Sequence, residues 1–158
     1  MKLSEVEISK LKRAAYLHDI GKIVLDEKIL KKDYFTEEER EKIRLHSAVG
    51  YRILNLFDDT LDLAEYVYGH HERWDGSGYP RGLKGEQIPL ISRIITAVET
   101  YDRVLNRGEL TLEERKKEAR NVIKEGGGTQ FDPQVAEILV SIIDQEITSD
   151  QADNKKID

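Results

Sequence analysis

All four histidines of this 158-residue chain fall in three short clusters: LHDIGK around His18, LHSAVG around His46, and GHHERWDGSGYP with His70 and His71. Helical spacing carries these clusters on inward stripes, so a fold that satisfies the pattern must bring at least three helices to one place. A single histidine is most simply a core or surface residue. Four together, beside Asp19, Lys22, Glu72 and Asp75, point to a metal site, because imidazole is the commonest transition-metal ligand and the usual near-neutral proton carrier.

The pattern is helical nearly throughout and predicts an all-α bundle. Ile8, Leu11, Ala15 and His18 share a three-to-four spacing, with Gly21 ending that helix. Ile23–Leu30 is an apolar stretch that suits a loop with a short helical turn. Thr36 to Glu39 reads as a capping box. It opens a second helix with Ile43, His46, Val49, Ile53 and Phe57 on one face. A third helix from Asp59 or Thr60 carries Leu63, Ala64, Val67 and His71, with His70 beside them. Asp75–Gly85 holds Gly76, Gly78, Pro80, Gly82 and Gly85 and must be a loop. A helix from Pro89 carries Ile91, Ile94, Ile95, Val98 and Asp102 inward, with Glu99 adjacent. Thr111 to Glu114 is a second capping box, and its helix ends at Gly126-Gly127-Gly128. Asp132-Pro133 starts a last helix to about Ile147, with Val135, Ile138, Leu139 and Ile142 inward. The expectation is one helical domain over 1–147 and a polar, disordered tail over 148–158.

Composition narrows the function. A formal net charge of -6 argues against non-specific binding to DNA or an anionic membrane. No apolar run reaches membrane-spanning length and no secretory signal opens the chain, which fits a cytoplasmic protein. With no cysteine there is neither a disulfide framework nor a thiolate site. A metal must be held by histidine and carboxylate, a donor set that suits iron, manganese, zinc or nickel.

His18-Asp19 pairs a neutral imidazole with a carboxylate that can bridge two metals. Lys22 lies one turn beyond His18, where a cation can grip a phosphate. His70 and His71 can meet His46 and His18 from neighbouring helices, as metal sites in bundle cores are built. The Asp75–Gly85 loop is either a turn or a ligand-gripping loop, with Trp74, Tyr79 and Arg81 supplying stacking surface and charge. Its place directly after the histidine pair favours the second reading.

LHDIGK, His46 in HSAVG, HHERWDGSGYPRGLKGEQIP and GGGTQFDP, in this order, resemble the HD-GYP domains of bacterial signalling proteins. The resemblance runs from about Ser4 to Ile143. It implies an all-helical metal-dependent phosphodiesterase that hydrolyses cyclic di-GMP or a related phosphodiester, with a two- or three-metal centre that is often iron. By that resemblance His18, Asp19, His46, His70 and His71 are metal ligands, with Asp19 as the bridge. Lys22 contacts the scissile phosphate and forms the catalytic pair with Asp19. Asp75, Gly78, Tyr79, Pro80 and Arg81 belong to the loop that recognises a ligand or a signalling partner.

Three departures from the family pattern stand out. No histidine precedes His18, whereas the family carries a ligand there, so the domain reads as N-terminally shortened. AVETYDRVL places Glu99 where an aspartate ligand is usual, while Asp102 matches the second aspartate. Asn106 to Glu109 lacks the family's SDRPYR-like segment. The site of Asp19, His46, His70 and His71 is then complete, and that of His18, Asp19 and Glu99 is depleted. One or two divalent metals per chain are expected, iron or manganese favoured and zinc or nickel allowed. Reduced turnover is expected. The alternative is a degenerate module that binds metal, nucleotide or partner without turnover; a general nucleotide hydrolase is disfavoured by the GYP loop. A shortened bundle would expose apolar helix faces, which favours a homo-oligomer.

Overall fold

The computed structural model describes residues 2–32, 34–106, 108 and 110–154, and among these it is helical with no β-strand. The helices are α1 Glu5–Leu17, α2 Glu27–Leu30, α3 Glu37–Leu54, α4 Leu61–Tyr68, α5 Leu90–Leu105, α6 Leu112–Gly126 and α7 Pro133–Asn154. Among the described residues no helix is long and apolar enough to cross a membrane.

Local chemistry starts several of the helices. Ser4, Thr36 and Thr111 cap α1, α3 and α6: their side chains accept from the amides of Glu7, Glu39 and Glu114, and their own amides donate back to those carboxylates. This satisfies amide groups that have no partner within the helix. Asp132 caps α7 by accepting from the amides of Gln134 (2.8 Å) and Val135 (3.3 Å).

The chain divides into two compact units, Met1–Ile95 and Thr96–Asp158, with the boundary inside α5. In the first unit, Ala14, Leu54, Leu63, Ala64, Val67, Ile91 and Ile95 form the core. There α3 packs on α4 and on a 3-10 turn over Ile20–Val24, while α1 packs on α4. In the second unit α6 packs on α7, and Ala119, Ile123, Phe131, Ala136 and Ile143 are buried. The turn between those helices is tight because Gly126 lies under the Phe131 ring, where a Cβ would come within 2.5 Å of it.

Several inward positions are shifted from their expected places. In α1 the buried residue is Ala14, while Ala15 is exposed and Ile8 half-exposed. Phe57 lies beyond the end of α3 and is exposed. Val98 and Ile142 face outward, and Ile143 is buried instead; Asp102 is also exposed. A stripe read from spacing alone is uncertain by a residue, because only the packing neighbour decides which side of an apolar pair is covered. The disordered tail expected from Thr148 is also corrected. α7 continues to Asn154, because Asp150 takes an ion pair from Lys116 (2.7 Å) and Gln151 bonds Glu113 (2.9 Å). Residues 155–158 of that expected tail lie outside the described residues.

Candidate metal centre

Asp19 reaches the centre of the first unit because a glycine lets two backbones touch. The chain leaves α1 at His18 and enters the 3-10 turn that holds Gly21. A Cβ on Gly21 would lie 1.9 Å from the His46 carbonyl oxygen and 2.6 Å from the Gly50 nitrogen. Only hydrogen fits there, so the turn that carries Asp19 and Lys22 lies directly against α3. Gly21 therefore does more than end a helix.

The histidines converge. His46 and His70 are almost fully buried. The His46 Nε2 lies 3.2 Å from the His70 Nε2 and 3.1 Å from the His71 Nε2. The far side of three rings meets a backbone carbonyl three residues earlier: His18 Nδ1 with Ala15 (2.7 Å), His46 Nδ1 with Ile43 (2.5 Å) and His70 Nδ1 with Val67 (2.5 Å). A carbonyl only accepts, so these bonds place a proton on Nδ1 and turn Nε2 toward the cluster; at His46 and His70 that nitrogen then carries the lone pair a metal would use.

Electrostatics agree. Burial pushes the His46 imidazole below its ordinary value. Burial lowers His70 to about 3, against the opposing Val67 bond. Burial, then the neighbouring His70 and His46, lowers His71 to about 2. All three are neutral at pH 7, the state that binds metal. Burial raises the cost of the Asp19 charge, but the bonds from His18 and Lys22 outweigh it and hold the carboxyl well below the usual range. Its Oδ2 takes Lys22 Nζ at 2.6 Å and lies 3.3 Å from His18 Nε2.

This donor set fits a transition metal. The Asp19 Oδ1 is buried without a hydrogen-bond partner and lies 3.4 Å from the His46 Nε2. A lone pair therefore faces a lone pair, which is unfavourable until a cation lies between them. Ligand bonds of about 2.1 Å put donors on one ion roughly 3.0–3.4 Å apart, and the His46 Nε2 already stands at that spacing from the Nε2 atoms of His70 and His71. Among the described residues, His46, His70 and His71 form a group whose ligand atoms all lie within 4.8 Å of one another.

The Asp75–Gly85 loop folds back over this cluster. Tyr79 stacks on the His71 ring (centroids 4.9 Å, planes 27° apart), and the Arg44 guanidinium lies 5.7 Å from the Tyr79 ring centroid. The Tyr79-Pro80 peptide bond is cis. Arg81 reaches Glu65 (3.0 Å) and lies over the Tyr68 ring. Asp75 is tied to the Ser77 hydroxyl (2.6 Å) and amide (2.9 Å), and these bonds lower it to about 2. Trp74 carries the Arg93 guanidinium over its ring.

The structure thus brings His18, Asp19, Lys22, His46, His70 and His71 together and sets Tyr79 beside them. Glu99 stands on the part of α5 that belongs to the second unit. Arg44 had no place in the sequence reading. Glu72 was named there only as a neighbour of the histidines; its part in the loop had a signal, a carboxylate just before a glycine-rich segment whose amide groups need acceptors.

The family model described as HD domain matches residues 1–135. A cyclic di-GMP phosphodiesterase of Thermotoga maritima is 39% identical over 151 residues, covering 94% of this chain and 41% of that protein. A 3'3'-cGAMP-specific phosphodiesterase of Vibrio cholerae is 40% identical over 101 residues, covering 63% of this chain and 22% of that protein. The chain thus spans less than half the length of these relatives. A crystal structure of a cyclic GMP-AMP specific phosphodiesterase from V. cholerae superposes with a TM-score of 0.69 at 21% identity, over 94% of this chain and 41% of that one. That likeness concerns the fold. With the LHDIGK dyad and the GYP loop placed around one histidine cluster, the chain belongs to the HD domain family, as its resemblance to HD-GYP domains implied.

Proposed function

We propose that this chain is the hydrolytic domain of a cytoplasmic, metal-dependent phosphodiesterase that opens a cyclic dinucleotide, cyclic di-GMP or a close relative. The observation that carries the reading is the cluster of the His46, His70 and His71 ring nitrogens, with the ion-paired Asp19 and Lys22 beside it at His46. The relatives' names make a cyclic dinucleotide the shared substrate chemistry.

His46, His70, His71 and Asp19 would hold a divalent transition metal, with His18 beside them; Glu99 is carried as a ligand by the family resemblance alone. When bound, the metal supplies Lewis acidity toward water and a phosphoryl oxygen. The chain's own groups do the rest. Lys22, half-exposed at the edge of the cluster, offers its ammonium to a non-bridging phosphate oxygen and keeps Asp19 ionised. His18 steadies the other side of the same carboxylate oxygen. The Tyr79 ring offers a flat face and Arg81 a charge to a nucleotide or a signalling partner. Exposed apolar residues of the first unit, including Tyr16, Ile23 and Leu56, support self-association.

The test loads the chain anaerobically with Fe2+ or Mn2+ and measures metal per chain beside cyclic di-GMP hydrolysis. At least one metal per chain and turnover abolished by His46→Ala are expected. Because Glu99 replaces the usual aspartate, Glu99→Asp is expected to raise the rate. Nucleotide held without hydrolysis by the metal-loaded chain would replace this reading with a binding module.

A further inference from the structure

We propose that Glu72 is a positioning residue for His71, acting through the loop rather than on any ligand; the inference deepens the metal-centre reading above and rests on it. Glu72 is 1% exposed, and a carboxylate that deep is unfavourable unless its oxygens are bonded. Both are taken by loop backbone: Oε1 accepts from the Arg81 amide at 2.7 Å and Oε2 from the Leu83 amide at 3.0 Å. Such bonds to an ionised acceptor are the strong kind. They close the segment that leaves His71 and returns past it.

Inside that closure the geometry leaves little freedom. A Cβ on Gly78 would lie 2.3 Å from the Arg73 nitrogen, 2.6 Å from the Glu72 Cα and 2.6 Å from the His71 carbonyl oxygen. The Tyr79 amide donates to that same carbonyl at 3.2 Å. The backbone is therefore pinned on both sides of Tyr79-Pro80, by His71 before it and by Glu72 after it. Tyr79 is held at stacking height on His71, whose Nε2 faces His46 at 3.1 Å. Shifting the loop would let the His71 ring turn, and outer groups that orient metal ligands commonly change metal affinity by tenfold or more. Glu72 thus couples whatever the loop contacts to the direction of one ligand.

The experiment uses the whole chain with labelled histidine. In the metal-free protein, NMR reads the His71 ring resonances, which carry the ring-current shift of Tyr79. Glu72→Gln removes one acceptor and is expected to move His71 toward its position in Tyr79→Leu, leaving the circular dichroism spectrum unchanged. In the second arm, Co2+ reports binding and ligand field. Both variants are expected to weaken Co2+ binding about tenfold and shift its visible absorption, and the double variant to do little more than either, since they act along one path. An unmoved His71 in folded Glu72→Gln overturns the proposal. If Glu72→Gln fails to fold, Glu72→Asp is read the same way, and loss of fold in both also overturns it. A parent chain that takes up no Co2+ refutes the metal centre, while the NMR arm still decides whether Glu72 positions His71.

Discussion

The two units solve the problem of buried polarity in opposite ways. The first buries chemistry: His46, His70 and Glu72 are almost wholly enclosed, and each is held by backbone groups or by one another. The second keeps most of its charge at the surface. There Arg120 pairs with Asp144 and Lys116 with Asp150 between α6 and α7, over an apolar interior of Ala119, Ile123 and Ile143. Buried polar networks cost stability unless every member is satisfied. The first unit accepts that cost where a cation can complete the set, at Asp19 Oδ1. The second has no described group of three metal-ligating side chains.

The comparison breaks most visibly at the histidines. His70→Ala is expected to abolish both metal uptake and phosphodiester hydrolysis, read by metal analysis and product formation. The second unit's helices should be unaffected. Metal retained at full stoichiometry would mean that the cluster is structural. Next in size is Gly21→Ala. Its Cβ has no room against the His46 carbonyl, and overpacking of this kind costs about 3 kcal/mol. The melting temperature should fall by roughly 6–12 °C for a chain of this length. An unchanged melting curve would show that the close approach of the turn to α3 is not needed.

A smaller effect belongs to the second unit. Burial, reinforced by the bond to Glu146 at 2.9 Å, raises Tyr101 to about 12 from 10.0. The folded state keeps this phenol protonated after the unfolded chain has lost its proton. Its contribution is therefore whole below pH 10 and is lost as pH climbs toward 12. Denaturant melts over that range are expected to show the decline in the parent chain and a flatter profile in Tyr101→Phe. The smallest change is Arg120→Ala. Exposed ion pairs contribute little, so its melting shift should fall well below that of Gly21→Ala and shrink further in high salt. A shift as large as the glycine's would erase the contrast between the units.

Much of the fold was legible because it is written locally. The Thr36–Glu39 and Thr111–Glu114 boxes announce α3 and α6 through residues three apart. The glycines and prolines of Asp75–Gly85 rule out a helix there. The residues of the candidate metal centre were legible by type and order, since His18 stands beside Asp19, His70 and His71 stand beside Glu72, and His46 lies on a helix between them. Glu99 and the Asn106–Glu109 segment were legible as departures from the family pattern. The continuation of α7 past Ile147 was not legible, because its ion pair to Lys116 joins residues 34 apart in the chain.

By itself the sequence determined the helical class, the capped starts of the main helices and the set of side chains able to hold a metal. Those properties depend on neighbours within about one turn. Tertiary structure alone decided that the Gly21 turn presses on α3, that the His46 ring nitrogen stands about 3 Å from those of His70 and His71, that those rings stay neutral, and that Glu72 closes the loop over His71. Each of these depends on burial and on contacts between segments distant in the chain. The spacing of residues along the sequence carries neither the distance across a core nor the loss of water that changes an imidazole's proton affinity.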